Sequence, residues 1–267
     1  MLTAITREVS SSINDCELSF HARQPIDLAK AMAQHKAYQN CLAELGVWIV
    51  SLSAQPELPD AVFVEDAAVV LDEVAVMSNM GAPSRRAETS SLVDMLSHYR
   101  PLKFLAAPAT LDGGDVLRVD RSIFVGLSQR TNRDAIDQLT RLFRPDDYRV
   151  QPVEVTGCLH LKSACSYIGN NAILVKQSWI DAERLRGFEL LDVAEEEPAA
   201  ANVLLIKDVL IMPASFPKTR DLLERRECRV QTIDVSELQK AEAGVTCCSL
   251  VFKDETGATN TSSKLSS

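Results

Sequence analysis

Residues 111–128 read LDGGDVLRVDRSIFVGLS, and residues 159–176 read LHLKSACSYIGNNAILVK. Each stretch is a run of β-branched and apolar residues, a short turn carrying Asp, Asn or Gly, and a second such run. That is the pattern of a tight hairpin. It recurs at 62–78 (VFVEDAAVVLDEVAVMS) and at 202–213 (NVLLIKDVLIMP). A fifth run, TCCSLVF at 246–252, meets the end of the chain with no return strand. The five runs start 49, 48, 43 and 44 residues apart. A repeat of that length points to a propeller or an array.

Between the hairpins lie helical stretches, each followed by one more short strand. Asp27 to Leu45 places apolar residues at 28, 31, 32, 38, 42 and 45, roughly one helix face, and Gly46 stops it. VWIVSLS follows as a strand. SSLVDMLSHY with KFLAAP, Asn132 to Leu142 with YRVQPVEV, and Thr219 to Arg226 with CRVQTIDV repeat the order. SWIDAERLRG with FELLDV reads as a further copy. The unit is strand, strand, helix, strand, about five times over. The lone final strand needs a partner, and Leu2 to Val9 can supply it. The expected fold is a single α/β domain over residues 1–253, a five-bladed α/β-propeller of ββαβ repeats with pseudo-fivefold symmetry. Its ring is closed by the N-terminal strand. An ordinary doubly wound α/β sheet is the competing reading. The polar tail, residues 254–267, is expected to be disordered.

At 267 residues and 46% hydrophobic, the chain can bury a sizeable core without disulfides or metal staples. A net charge of −9 argues against nucleic acid and against an anionic membrane surface as partners. The first residues, MLTAITREVSSS, carry no apolar signal region, no run of about 18 apolar residues occurs, and the SKL near the C-terminus is internal. The expected location is cytoplasmic. Seven cysteines without a CxxC pair read as reduced thiols, and with only four histidines a structural zinc site is not expected.

Five places carry candidate chemistry. Glu65 and Asp66 lie in an apolar strand-like run that disfavours both, with Asp60 just ahead. Buried carboxylates need a cation or donors, so a structural ion pair is the plain alternative. In DGGD, Asp112 and Asp115 flank Gly113 and Gly114, which permit positive φ or close backbone approach. A simple turn into a strand would look the same. His160 sits among apolar residues before a strand, and it becomes a catalyst only with a carboxylate and a nucleophile beside it. Cys247 and Cys248, in a strand, would point to opposite faces, or both could be small core residues. Arg85, Arg86 and Arg130 stand in turn-like contexts as forks for a carboxylate, unless they are solvated surface charges. Together the set fits a ligand that carries both a cation and a carboxylate.

FVEDAAVV, GAPSRR, LDGGDVL, VGLSQRTN, GCLHLKS and VTCCSL occur in this order from about residue 7 to 252. They resemble the dimethylarginine dimethylaminohydrolases, guanidino-group-modifying enzymes of the pentein superfamily with a five-bladed α/β-propeller. The resemblance implies hydrolysis of Nω-methylated L-arginine to L-citrulline and a methylamine through a covalent cysteine thiouronium. It implies Cys247 as nucleophile, Cys248 as its idle neighbour, His160 as general acid–base and Asp112 as the residue orienting it. Asp60, Glu65 and Asp66 would surround the guanidinium, and Arg85 and Arg130 would hold the α-carboxylate. Leu18 would lie in the lid. No metal and no organic cofactor is implied, and zinc on a Cys–His pair is expected only as an inhibitor. The expected partner is the small-molecule substrate, on a monomer or homodimer.

Related arginine and agmatine deiminases resemble the chain too, but they carry an acidic residue two positions after the catalytic histidine. Here that position is Lys162. Losing an acceptor suits a nitrogen that bears methyl groups. A deiminase of the same fold, or an idle methylarginine-binding propeller, is the alternative. A thiol redox or metal-buffering protein built on Cys247 and Cys248 has little else in the sequence to support it.

Overall fold

The computed structural model describes residues 1–254. The tail expected to be disordered lies, from residue 255, outside the described residues. These residues form five three-stranded sheets, one per repeat. The first unit runs β1 (Leu2–Arg7), α1 (Leu28–Glu44) and β2 (Trp48–Leu52). The second has β3 (Ala68–Val70), β4 (Ala75–Met77), α2 (Arg86–Ser97) and β5 (Leu102–Phe104). The third has β6 (Val116–Val119), β7 (Ser122–Leu127), α3 (Arg133–Phe143) and β8 (Arg149–Glu154). The fourth opens with a single helical turn, α4 (Leu161–Ala164), then β9 (Cys165–Gly169), β10 (Ala172–Val175) and β11 (Glu189–Asp192). The fifth has β12 (Leu204–Ile206), β13 (Val209–Pro213), α5 (Pro217–Arg225) and β14 (Arg229–Ile233). A short helix, α6 (Ser236–Gln239), and β15 (Leu250–Lys253) end the described chain.

Within each blade the hairpin is antiparallel and the third strand joins parallel after the crossover. β15 lacks a hairpin mate of its own, and β1 supplies one, pairing Leu2 with Lys253 through to Ile5 with Leu250. The expected closure by the N-terminal strand is therefore present. The middle strands β4, β10 and β13 are buried along their whole length, so they read as continuous apolar runs. The outer strands β2 and β14 carry only exposed and half-buried positions. Helix starts follow local chemistry: the Asp27 carboxylate accepts the Lys30 N–H at 3.0 Å, and Asn132 does the same for Ala135 at 3.0 Å.

One expectation fails. Between β10 and β11 there is no α-helix but two 3-10 turns, Gln177–Trp179 and Ala182–Leu185. Ile180, between them, makes an antiparallel bridge to Val155 at the end of the third blade. That backbone pairing takes the residue a continuous helix would need.

Instead of one central core there are five apolar clusters, each wedged between neighbouring blades. Ile5, Leu250 and Phe252 pack with Val64, Met77 and Leu92 across the first and second blades. Tyr38 and Leu42 of α1 pack with Ile206 and Ile211 of the fifth. Ile5 is fully buried at the seam where the chain ends meet. Ile5→Ala should lower the unfolding free energy by about 2–5 kcal/mol. Urea denaturation followed by circular dichroism should show an earlier midpoint with an unchanged slope.

Candidate active site

The polar residues singled out in the sequence gather where the chain turns into the innermost strand of each blade. Glu65 and Asp66 lie on a 3-10 turn, Val64–Ala67, ahead of β3, not inside a strand as expected. Asp112 precedes a second 3-10 turn, Gly113–Asp115, ahead of β6. His160 is the residue before α4, which leads into β9. Cys247 and Cys248 also lie in a turn, ahead of β15, so strand alternation does not separate them. Burial does: Cys247 is partly exposed, and Cys248 is 1% exposed in the core. A turn releases these side chains from the ladder, where a carboxylate would face the apolar strands of the neighbouring blade.

Gly113 and Gly114 serve close approach rather than positive φ. A Cβ on Gly113 would stand 2.0 Å from the Glu65 carbonyl oxygen. One on Gly114 would stand 2.7 Å from His160 Nδ1 and 2.8 Å from Asp66 Oδ1.

His160 Nε2 lies 3.1 Å from Asp112 Oδ2, and Nδ1 lies 3.9 Å from Asp66 Oδ1. Asp112 Oδ1 accepts the Gly81 N–H at 2.9 Å, which fixes the carboxylate. Asp115 accepts the Leu161 N–H at 2.9 Å and the Ser128 hydroxyl at 2.6 Å, anchoring the backbone next to His160. Burial alone would lower the His160 pKa, but Asp66, the Asp112 hydrogen bond and Asp115 raise it to about 9. Burial would raise Asp66, yet His160, Arg85 and the Gly114 N–H bring it down to about 2. Burial, Glu65 and Asp66 push the Cys247 thiol up to about 12, although its sulfur accepts the Gly244 N–H at 3.3 Å. At neutral pH the free protein therefore holds an imidazolium and a neutral thiol.

The remaining residues divide. Asp60 is buried and its Oδ2 accepts the Glu17 N–H at 3.1 Å. Arg130 Nη1 reaches Asp112 Oδ2 at 3.5 Å and Nη2 reaches Ser19 Oγ at 3.3 Å, both long contacts that leave the guanidinium loosely held. Leu18 is half-buried against the apolar cluster that also takes in Cys247. Arg85 is different: it pairs with Asp66 at 2.9 Å and through two nitrogens with Glu88 at 3.0 Å. Most of its donors are spent inside the protein. Glu65 is occupied as well, by Lys162 Nζ at 2.6 Å and the Thr246 hydroxyl at 2.7 Å, while its N–H donates to the Cys247 carbonyl at 3.2 Å.

Sequence reasoning missed Asn202. Its side chain donates to the Lys162 carbonyl at 2.9 Å and the Thr246 hydroxyl at 3.0 Å, and accepts the Thr246 N–H at 3.1 Å. It stands two residues before β12, the place where the other four repeats carry their polar groups. That register was the available signal. Thr246 and Glu88 were missed with it.

Two cavities adjoin these residues. One, of about 460 Å³, lies on the axis against β3, β6, β9, β12 and β15, and Glu65, Lys162 and Thr246 form part of its wall. The other, about 320 Å³, is lined by Cys158, Leu159, Trp179 and Gly244 beneath Phe20 and His21. Among the described residues one group could hold a metal ion, Asp66, Asp112 and His160, with ligand atoms within 4.8 Å of one another. Cys247 is not in this group. No described helix is long and apolar enough to cross a membrane.

Two outcomes follow. Nuclear magnetic resonance of His160 should show titration near pH 9, falling toward the ordinary histidine range in Asp66→Asn. The sign is that of a raised base: its stabilising charge is complete below about pH 6.5 and fades as pH rises through about 9. Arg85→Ala should strand two buried carboxylates and cost about 3–5 kcal/mol of stability, read as a lowered thermal midpoint.

The profile of eukaryotic N,N dimethylarginine dimethylhydrolases matches residues 3–252. A dimethylarginine dimethylaminohydrolase of Pseudomonas aeruginosa is 33% identical over 250 residues, covering 93% of this chain and 98% of that protein. The solved structure of a cysteine-to-serine variant of the Pseudomonas aeruginosa enzyme, complexed with citrulline, superposes with a TM-score of 0.89 at 31% identity. It covers 94% of this chain and 98% of the other. The N-terminal domain of the cyanobacterial arginine dihydrolase ArgZ shares the fold at a TM-score of 0.85 and 17% identity, over 94% of this chain and 98% of that one. With its five three-stranded blades, its buried Asp112–His160 pair and a profile match over nearly every described residue, the chain belongs to the dimethylarginine dimethylaminohydrolase family.

Proposed function

We infer that the protein hydrolyses Nω-methylated L-arginine to L-citrulline and dimethylamine or methylamine. The observation that carries the reading is the charge of the mouth. Asp60, Glu65, Asp66, Glu88, Asp112 and Asp115 outnumber Arg85, Arg130, His160 and Lys162, nearly all of them buried, and burial pushes Glu88 up to about 7 and Asp115 to about 6, as befits carboxyls short of cations. Unbalanced buried carboxylate is costly until a cation arrives, and a guanidinium is such a cation.

Asp60 and Asp66 would hold the guanidinium, and Arg130, the loosely tied cation, the α-carboxylate. Arg85 would act mainly by holding Asp66 in place. A bound guanidinium beside Cys247 favours the thiolate that Glu65 and Asp66 oppose in the free protein. The thiol proton passes to solvent, since His160 is already protonated, and the thiolate attacks the guanidinium carbon. His160, protonated in the free protein, gives its proton to the departing amine as the C–N bond breaks. Water then adds to the thiouronium carbon, His160 takes the proton, and the C–S bond breaks to release citrulline and the thiol. No step passes through a metal or an organic cofactor. Lys162 turns to Glu65, so the position two after His160 offers no acceptor for an unmethylated nitrogen, which favours methylarginine over arginine.

Citrulline and dimethylamine should form from asymmetric dimethylarginine, with little citrulline or ammonia from arginine. Turnover of arginine instead would move the protein to the deiminases, and no turnover of either would support a binding role. Cys247→Ser and His160→Ala should be inactive, and Cys248→Ser should keep most activity. Arg130→Ala should act mainly by raising KM. A thiolate ultraviolet signal that fails to rise on adding an inert cationic analogue would sink the proposed ionisation of Cys247.

A further inference from the structure

Asp60, Asp66, Asp112, Arg130 and His160 are each less than a tenth exposed. Residues 17–21 touch two of them, Asp60 through the Glu17 N–H and Arg130 through the Ser19 hydroxyl, so a lid that admits substrate to these groups would have to include this segment. Several of its ties run toward residues that substrate would engage or to a neighbouring blade. The Glu17 N–H donates to Asp60, Ser19 Oγ accepts from Arg130, and the Ser84 hydroxyl donates to Glu17 at 2.5 Å. The strongest tie goes elsewhere. The Glu242 carboxylate accepts three successive backbone N–H groups, from Ser19 at 3.0 and 3.1 Å, Phe20 at 2.5 Å and His21 at 2.6 Å.

Glu242 is also out of place by its backbone. Its φ is +60°, where it closes α6: its own N–H reaches the Gln239 carbonyl at 3.1 Å, and that of Ala243 reaches Leu238 at 3.3 Å. Glycine is the ordinary residue for such a helix end. Glu227 ends α5 at a similar φ of +61°, so the angle by itself does not set Glu242 apart; the three amides on its carboxylate do. Two residues further on, the Gly244 N–H donates to Cys247 Sγ.

We propose that Glu242 is the latch of the lid, a positioning residue that holds Ser19–His21 closed through their main chain and ties closure to the loop carrying the nucleophile. A carboxylate bound by three amides suits this role, because charge-assisted bonds to backbone N–H groups do not depend on the lid's side chains. The latch rests on the hydrolase reading of the site, which wild-type turnover of dimethylarginine tests separately.

The experiment compares wild type with Glu242→Gly and Glu242→Gln. The glycine variant relieves the positive φ and should keep or raise the thermal midpoint, so misfolding cannot mimic loss of the latch. In it, hydrogen exchange at the Ser19, Phe20 and His21 amides should accelerate by at least about tenfold. KM for dimethylarginine should rise by about tenfold while kcat changes far less, and the glutamine variant should fall between. Unchanged exchange at these amides would overturn the latch. So would a KM within about twofold of wild type, or a loss confined to kcat.

Discussion

The antiparallel pairing of β1 with β15 is the constraint on which the rest depends. It joins the two ends of the described chain, and the backbone groups of Met1 and Asp254 extend it by two further hydrogen bonds. Residues 17–21 follow β1 and Cys247 precedes β15, so one seam sets both. Ser19 and Glu242, 223 residues apart, become neighbours because two short strands exchange hydrogen bonds. With apolar clusters between blades rather than at a centre, no blade has a core without its neighbours.

The second organising force is electrostatic. Arg85, clasped by Asp66 and Glu88, offsets part of the cost of placing carboxylates in a nearly dry mouth. What remains uncompensated sets the protonation states on both sides of the reaction. The same Asp66 that keeps His160 protonated helps keep Cys247 neutral. In the free protein the imidazole is thereby charged and the thiol neutral.

The fivefold repeat was legible in the sequence because middle strands buried on both faces leave unbroken apolar runs, and crossover helices leave capping residues such as Asp27 and Asn132. The position of the chemistry along the repeat was less so. Glu65, Asp66 and Cys247 were read as strand residues, since a single helical turn is too short to leave a period of its own. The failed helix at 177–185 reflects a long-range bridge from Ile180 to Val155, which local pattern does not carry. Arg85 was marked for a substrate carboxylate, but its partners lie on α2 and on a distant turn, so its structural duty was invisible. Asn202 and Glu242 were passed over because their residue types advertise nothing. The first matters by its place in the repeat, the second by three backbone amides more than 200 residues away.

The turns that carry Asp66, Asp112, His160, Asn202 and Cys247 come from five well-separated stretches of chain, and none lies within a strand. No fragment of the protein holds more than part of the set in the right place. During folding, blades that have docked on some of their neighbours can hold their ladders while catalysing nothing. Turnover becomes possible only when the last blade docks and the seam zips shut. Recovered activity on refolding is thus a clock for the final, most non-local step of assembly, and it runs behind every spectroscopic signal of the strands themselves.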